Sequence, residues 1–421
     1  MKIRPRRRRW YSAMLATHIK DFARSVPLAL ICIACPPAAE PIIAKEASTA
    51  TQSARVPDAG TISFILDAQR ILMNVTFETP EGGTRNVLTW FNMGMPAPVL
   101  TKALYHELGI DRGHPLTMKL GEFSFEAAPE TVVDGDGGLA NPEFAQRFVP
   151  HPVEAMLPAA FFQQAIVTLD YQRRTLTLAR PETRKPEGIA VPFAINTKTG
   201  LIAPDAEVDG KRYPIVIDAG SGYSWIRGRV LAEWLAKHPD WRRADGAVGL
   251  SNYNMLDLPF EKDALLARVP ELPIGAITLE NVGLLGIGFV MGNIGNSLIG
   301  EMFWNNWQQS APSPVIGWLG GNALKPFKLT IDFPNRVSYW QRQTKADAHD
   351  LDQVAITLVR RSGSYFIGGF VRKANPAQSE SVTLEGCEIG DELVAVEGLS
   401  AWGASIEQVL SAPGARRLRT H

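Results

Sequence analysis

Two short runs of the sequence each carry a strand-like stretch into a polar residue and then a glycine. They are Val87-Leu88-Thr89-Trp90-Phe91-Asn92-Met93-Gly94 and, 126 positions further on, Tyr213-Pro214-Ile215-Val216-Ile217-Asp218-Ala219-Gly220. Asp218 brings a carboxyl that can take up and release a proton. Asn92 brings an amide that can hold a water by hydrogen bonds but cannot exchange a proton as a carboxyl does. Alone, an aspartate before small residues at a strand end reads as a turn; the functional reading of Asn92 depends wholly on the match between the two runs.

Other constellations fall away on their spacing. No two histidines stand four apart on a helical stretch, and Ser221 and Ser251 are not framed as nucleophile elbows. The glycine-rich stretch 286–292 is followed by Asn293-Ile294-Gly295-Asn296, which reads as more loop. A flexible insertion is therefore expected there, with no helix to receive a phosphate. Asp134-Gly135-Asp136-Gly137-Gly138 lacks the further ligands and terminal glutamate of a calcium loop, so it is expected to be a turn. The tryptophans of Met302-Phe303-Trp304-Asn305-Asn306-Trp307 are three apart, which suits one face of a helix and ordinary core packing. No metal and no organic cofactor is implied. Lys plus Arg equals Asp plus Glu at 43 each, so no overall field favours nucleic acid.

The elements that must position Asn92 and Asp218 repeat as well. Amphipathic helical patterns follow both runs, at 99–108 and 226–235. Each copy then has a strand, glycine turn, strand unit, Leu116-Thr117-Met118-Lys119-Leu120-Gly121-Glu122-Phe123-Ser124-Phe125 and Leu272-Pro273-Ile274-Gly275-Ala276-Ile277-Thr278-Leu279. Farther on, Met156-Leu157-Pro158 with Val167-Thr168-Leu169-Asp170-Tyr171 matches Trp318-Leu319-Gly320 with Leu329-Thr330-Ile331-Asp332-Phe333, now at an offset of 162. Four anchors in one order predict two lobes of a duplicated, mainly β architecture, over residues 58–183 and 187–343. The proline- and charge-rich stretch 181–186 is the expected joint, and 341–352 a second linker.

With these anchors in place, the two lobes resemble retropepsin-like aspartic peptidases, whose lobes carry a strand ending in Asp-Thr/Ser-Gly and later two apolar residues before a glycine. Ile217-Asp218-Ala219-Gly220-Ser221 matches the first motif and Trp318-Leu319-Gly320 the second. The resemblance implies two β-barrel lobes in one chain and an aspartic-type endopeptidase acting on extended polypeptides in the cleft between them. Such enzymes need two carboxylates close enough to share one proton, one acting as base on a water while the other polarises the peptide carbonyl. It implies Asp218 as catalytic acid or base, Gly220 as the residue that lets two turns approach, and Gly320 as support for the loop behind. The turns at Gly121 and Gly275 are the implied covers of the substrate. The sequence departs from the motif where Asn92 takes the first lobe's aspartate position, Met93 and Ala219 replace the hydroxyl residue that ties the loops together, and Pro158 replaces the later glycine. A catalytically inactive, peptide-binding pseudo-peptidase is the alternative. A homodimer pairing Asp218 with Asp218 across a two-fold axis would supply the missing carboxylate.

At the two ends the texture changes. Residues 350–421 contain Gly390-Asp391-Glu392-Leu393-Val394-Ala395-Val396-Glu397-Gly398, which resembles the core of a PDZ domain, a small α+β module that binds peptides, often a peptide C-terminus, by strand addition. The resemblance implies a carboxylate-binding loop near Gly368 and Gly369, a groove helix over 406–410, and a last strand starting near Ala415. Residues 1–45 combine a basic stretch with the short apolar run 26–35 and read as an export signal, which places the protein in a periplasmic or secreted setting.

Overall fold

A computed structural model describes residues 2–4, 59–135, 153–181, 186–245, 261, 264–288, 294–346, 356–361, 363–370, 372–373, 387–396 and 398–411. The chain is mainly β, with barrel-like sheets and few helices. Strands form where apolar side chains alternate with polar ones: along Leu116–Leu120, Leu116, Met118 and Leu120 are buried while Lys119 is exposed.

Two outer sheets carry the two polar-residue corners. The first has eight strands, ordered Phe123–Ala127, Leu116–Leu120, Arg70–Glu78, Thr84–Phe91, Ala155–Leu157, Val99–Leu100, Val133–Asp134, with Ile65–Asp67 paired to Arg70–Glu78. The second has nine, running Lys211–Pro214, Asp205–Val208, Leu265–Ile274, Ile277–Ile287, Ser224–Arg227, Gly317–Leu319, Val216–Ile217, with two short strands joined to its side. The same three-strand unit occurs in both. In the first sheet Met156 lies parallel beside Trp90 and antiparallel beside Val99. In the second, Trp318 lies parallel beside Val216 and antiparallel beside Trp225. Corresponding rungs differ by the two offsets at which the sequence matched.

A six-stranded sheet joins the two sides. Its order is Ile189–Pro192, Val337–Arg342, Phe327–Asp332, Ile166–Asp170, Thr175–Ala179, Ala59–Ser63, three strands from before the joint and three from after it. At its centre Thr168 faces Thr330, with the two hydroxyls 3.0 Å apart. On either side Val167 faces Ile331 and Leu169 faces Leu329. An antiparallel ladder between corresponding residues has a local two-fold axis, which passes through this threonine pair. One hydrophobic cluster runs through both sides, from Phe91 and Leu157 to Ile217 and Leu319.

The residues read as a flexible insertion hold a helix, Ile294–Trp307, and Gly286 ends inside the strand Ile277–Ile287. The expectation failed because Asn293-Ile294-Gly295-Asn296, poor in helix formers, reads as loop. Gly300 instead lets the helix lie against another glycine: a Cβ there would overlap the Gly288 backbone. Gly300, Trp304 and Trp307, spaced four and three apart, form the buried face. The tryptophans are thus core residues, as their spacing suggested. The remainder of that glycine-rich stretch, like 136–138 of the turn after Asp134, lies outside the described residues.

Beyond residue 350 the described strands Ile356–Arg361, Ser364–Phe370 and Glu392–Val396 form a sheet, with Leu399–Ser400 and the N-terminal Lys2–Arg4 also paired to Glu392–Val396. Helix Ile406–Ser411 follows. Gly368 and Gly369 lie within the strand Ser364–Phe370, at an irregularity opposite Thr357, and not in a loop. The unpaired residue of a bulge is an alternative use for glycine. The expected strand near Ala415, and all of the export-signal stretch except residues 2–4, lie outside the described residues.

Candidate active site

The two corners meet at the ends of their strands. Beyond the ladder, the Asn92 amide N–H donates to Leu157 O and the Asp218 amide N–H to Leu319 O, both at 2.9 Å. Each polar side chain then folds back on its own glycine: the Gly94 N–H donates to Asn92 Oδ1 at 3.0 Å, and the Gly220 N–H to Asp218 Oδ1 at 2.9 Å. A third bond crosses between the corners, from Gly94 N–H to Asp218 Oδ1 at 3.0 Å. One backbone donor therefore serves both the amide and the carboxylate.

Glycine is required at both corners by proximity. A Cβ on Gly94 would overlap the Asp218 carboxylate, and one on Gly220 would overlap the backbone of Asn92. With these two absent, the loops touch through their main chains. Gly320 supports the second corner from behind, where its N–H donates to Ser224 Oγ at 2.9 Å and a Cβ would run into Tyr223. Pro158, at the corresponding place of the first corner, has no N–H to give.

Asp218 is 4% exposed and Asn92 5%. Burial penalises the charged form and raises the Asp218 pKa to about 6, against the lowering effect of the N–H groups of Gly220, Gly94 and Ser221. No like-charged partner contributes, because Asn92 does not ionise. A single carboxyl that gains and loses its proton near neutrality is what the pair provides. The Asn92 amide nitrogen faces Met156 Sδ at 3.6 Å. Beside the corners lies an aromatic wall, in which Trp318 packs on Trp225, Trp304 and Trp307 with each ring centroid 5.0 Å away. Ser221 is turned into this wall: its hydroxyl donates to Tyr223 O and accepts from the Trp318 indole.

Of the residues singled out from the sequence, Asn92, Asp218 and Gly220 are brought together. Gly121 and Gly275 are not in this group. Both are turn glycines at positive φ, and each is seated against the joining sheet, Gly121 against Ile62 and Gly275 against Val191. Gly368 and Gly369 belong to the separate C-terminal sheet. Sequence reasoning passed over Gly94, whose N–H is shared, although it stands in the same motif as Gly220. It also passed over Trp90 and Trp307, whose indoles donate to Gly220 O at 2.8 Å and Gly94 O at 2.9 Å. The only signal for these was indirect: the motif lacks its hydroxyl residues. Among the described residues no group of His, Cys, Asp and Glu could hold a metal ion.

No family model matches the chain, and no curated protein matches it. Among solved structures it is similar to an aspartic proteinase from Irpex lacteus, at 11% identity over 69% of this chain and 99% of that one, with a TM-score of 0.39. It is also similar to conglutin gamma, a basic 7S globulin from lupine seeds, at 10% identity over 68% of this chain and 96% of that one, again with a TM-score of 0.39.

Proposed function

We propose that this chain is an aspartic-peptidase-like protein that hydrolyses extended polypeptides with one carboxylate, Asp218, and one amide, Asn92. The observation that carries the reading is the shared Gly94 N–H, which puts an ionisable oxygen and an amide side by side at the meeting of two strand ends. In the proposed reaction ionised Asp218 takes a proton from water as the water oxygen adds to the peptide carbonyl carbon. The Asn92 amide N–H donates a hydrogen bond to the carbonyl oxygen as it becomes anionic. The C–N bond then breaks, and the proton on Asp218 passes to the leaving amine. An amide cannot supply the proton that a second carboxyl would, so the reaction is slow and needs Asp218 ionised.

Cleavage of a mixed peptide library from pH 4 to pH 8 tests this, with Asp218→Asn and Asn92→Asp beside the native chain. Native activity should rise through about pH 6 and stay level above it. Asn92→Asp should raise the maximal rate by on the order of 100-fold and turn the profile into a bell on the acid side. Cleavage no greater than that of Asp218→Asn at every pH would refute the reading. A second reading, a peptide-binding protein that has lost its chemistry, is favoured by the near-complete burial of both side chains, and that outcome would select it.

The remaining organisation is proposed with it. The matching ladders support an internal duplication with lobes at 58–183 and 187–343. The filling of the Asp218 face by Asn92 and Gly94 supports a site within one chain over an Asp218-to-Asp218 homodimer. A PDZ-like peptide-binding role for 350–421 is supported by its Gly-Asp-x-Leu segment, and export to a periplasmic or secreted location by the basic and apolar character of residues 1–45.

A further inference from the structure

Met93 and Ala219 leave the two corners without the hydroxyl groups that could tie one to the other, yet the corners touch through their main chains. Each glycine is held from both sides. Its N–H goes to a site side chain, and its carbonyl accepts from an indole that originates on the opposite side of the molecule. Trp90, on the strand leading to Asn92, reaches across to Gly220 O. Trp307, at the end of the helix Ile294–Trp307 after the joint, reaches back to Gly94 O. Both indoles are buried, and both acceptors are buried with them. The two donors come from unrelated elements: the residue corresponding to Trp90 in the second run is Val216, and the helix of Trp307 has no described counterpart before the joint. The exchange is thus built from two different sources to one symmetrical end.

We infer that Trp90 and Trp307 form a crossed indole clamp that fixes the two glycine corners against each other and thereby positions Asp218 and Asn92. They are positioning residues: each acts through a glycine whose N–H meets the Asp218 carboxylate. A buried carbonyl that loses its donor cannot be repaired by water, so each indole N–H governs how far its corner can open. The catalytic significance of the clamp rests on the hydrolytic reading above, whereas its existence does not.

The test is amide hydrogen exchange, read by mass spectrometry on the full chain. Trp90→Phe and Trp307→Phe are compared with the isosteric replacement of each indole by benzothienylalanine, which keeps the ring and deletes only the N–H. Loss of the donor at 90 should speed exchange about tenfold in the segment 218–221, and loss at 307 should do so in 92–95. The sheet segment 166–170 should be unchanged in both isosteric forms. Exchange that is unchanged at the corners, or raised equally in 166–170, would overturn the clamp and leave the indoles as packing groups. If the phenylalanine variants fail to fold, the isosteric pair decides alone. Because no substrate is involved, a chain that cleaves nothing can still pass this test, and a working peptidase can still fail it.

Discussion

Replacing Asp218 by asparagine should make the protein more stable at neutral pH, and the size of the gain follows from where the carboxyl sits. Its pKa is raised from 3.8 to about 6 by burial. Well below pH 3.8 the carboxyl is protonated in both the folded and unfolded chains and contributes no difference. As pH rises toward 6 the unfolded chain has already released the proton while the folded chain retains it, so stability falls; above 6 the loss is complete. At about 1.4 kcal/mol per unit this amounts to roughly 3 kcal/mol. Asparagine keeps the acceptor for the Gly94 and Gly220 N–H groups and carries no charge. Urea unfolding of the native chain and Asp218→Asn at half-unit steps from pH 3.5 to 7.5 gives the difference curve. Other titrating groups cancel in it, including Glu407, whose pKa is raised chiefly by burial. A variant that gains roughly 3 kcal/mol relative to native between pH 4 and 6 is the expected result. A flat difference would refute the reasoning, and a relative loss would show that the three N–H donors outweigh burial and that the site favours the carboxylate.

Gly220→Ala should lower the unfolding free energy by at least about 2 kcal/mol in the same urea assay, because the added methyl meets Asn92 backbone and not a side chain that can turn away. Arg70 and Asp67 form a buried ion pair at 2.7 Å. Arg70→Met should cost about 3 to 5 kcal/mol by removing one side of this buried ion pair, and adding Asp67→Asn should recover part of the loss, measured as a double-mutant cycle. Trp304→Ala, which removes a fully buried ring from the aromatic wall, should cost about 3 to 5 kcal/mol in calorimetry or urea unfolding.

The β-rich architecture was legible because alternation and glycine turns are local signals, and the offsets between the two runs land on corresponding rungs of the two outer sheets. Asn92 and Asp218 could be paired on paper for the same reason. The rest depends on contacts that leave no pattern. The helix Ile294–Trp307 was hidden because its first residues read as loop and because Gly300 serves close approach, a use that propensity cannot distinguish from helix breaking. The partners of Trp90 and Trp307 are backbone carbonyls, present at every residue, so no spacing announces them. Gly121 and Gly275 were legible as turns, but which way a hairpin tip faces is decided by the layer beneath it, Ile62 and Val191 in this fold. Gly368 and Gly369 were read as loop residues because a bulge inside a strand has the same local composition as a turn.

The sheet that joins the two sides also fixes what the covalent link between them is for. The passage of chain at 181–186 is the expected joint, but Ile166–Asp170 before it and Phe327–Asp332 after it are already laced together over five facing pairs. A protease nick in that passage would remove the tether and leave the lacing. The two fragments should then travel as one particle on a sizing column and separate only in denaturant. Neither piece alone would carry a usable corner, since each contributes one of the two groups at the shared Gly94 N–H and one of the two indoles. The Asn92–Asp218 arrangement is therefore a property of the reassembled pair, and mixing separately produced fragments would be a direct way to rebuild it.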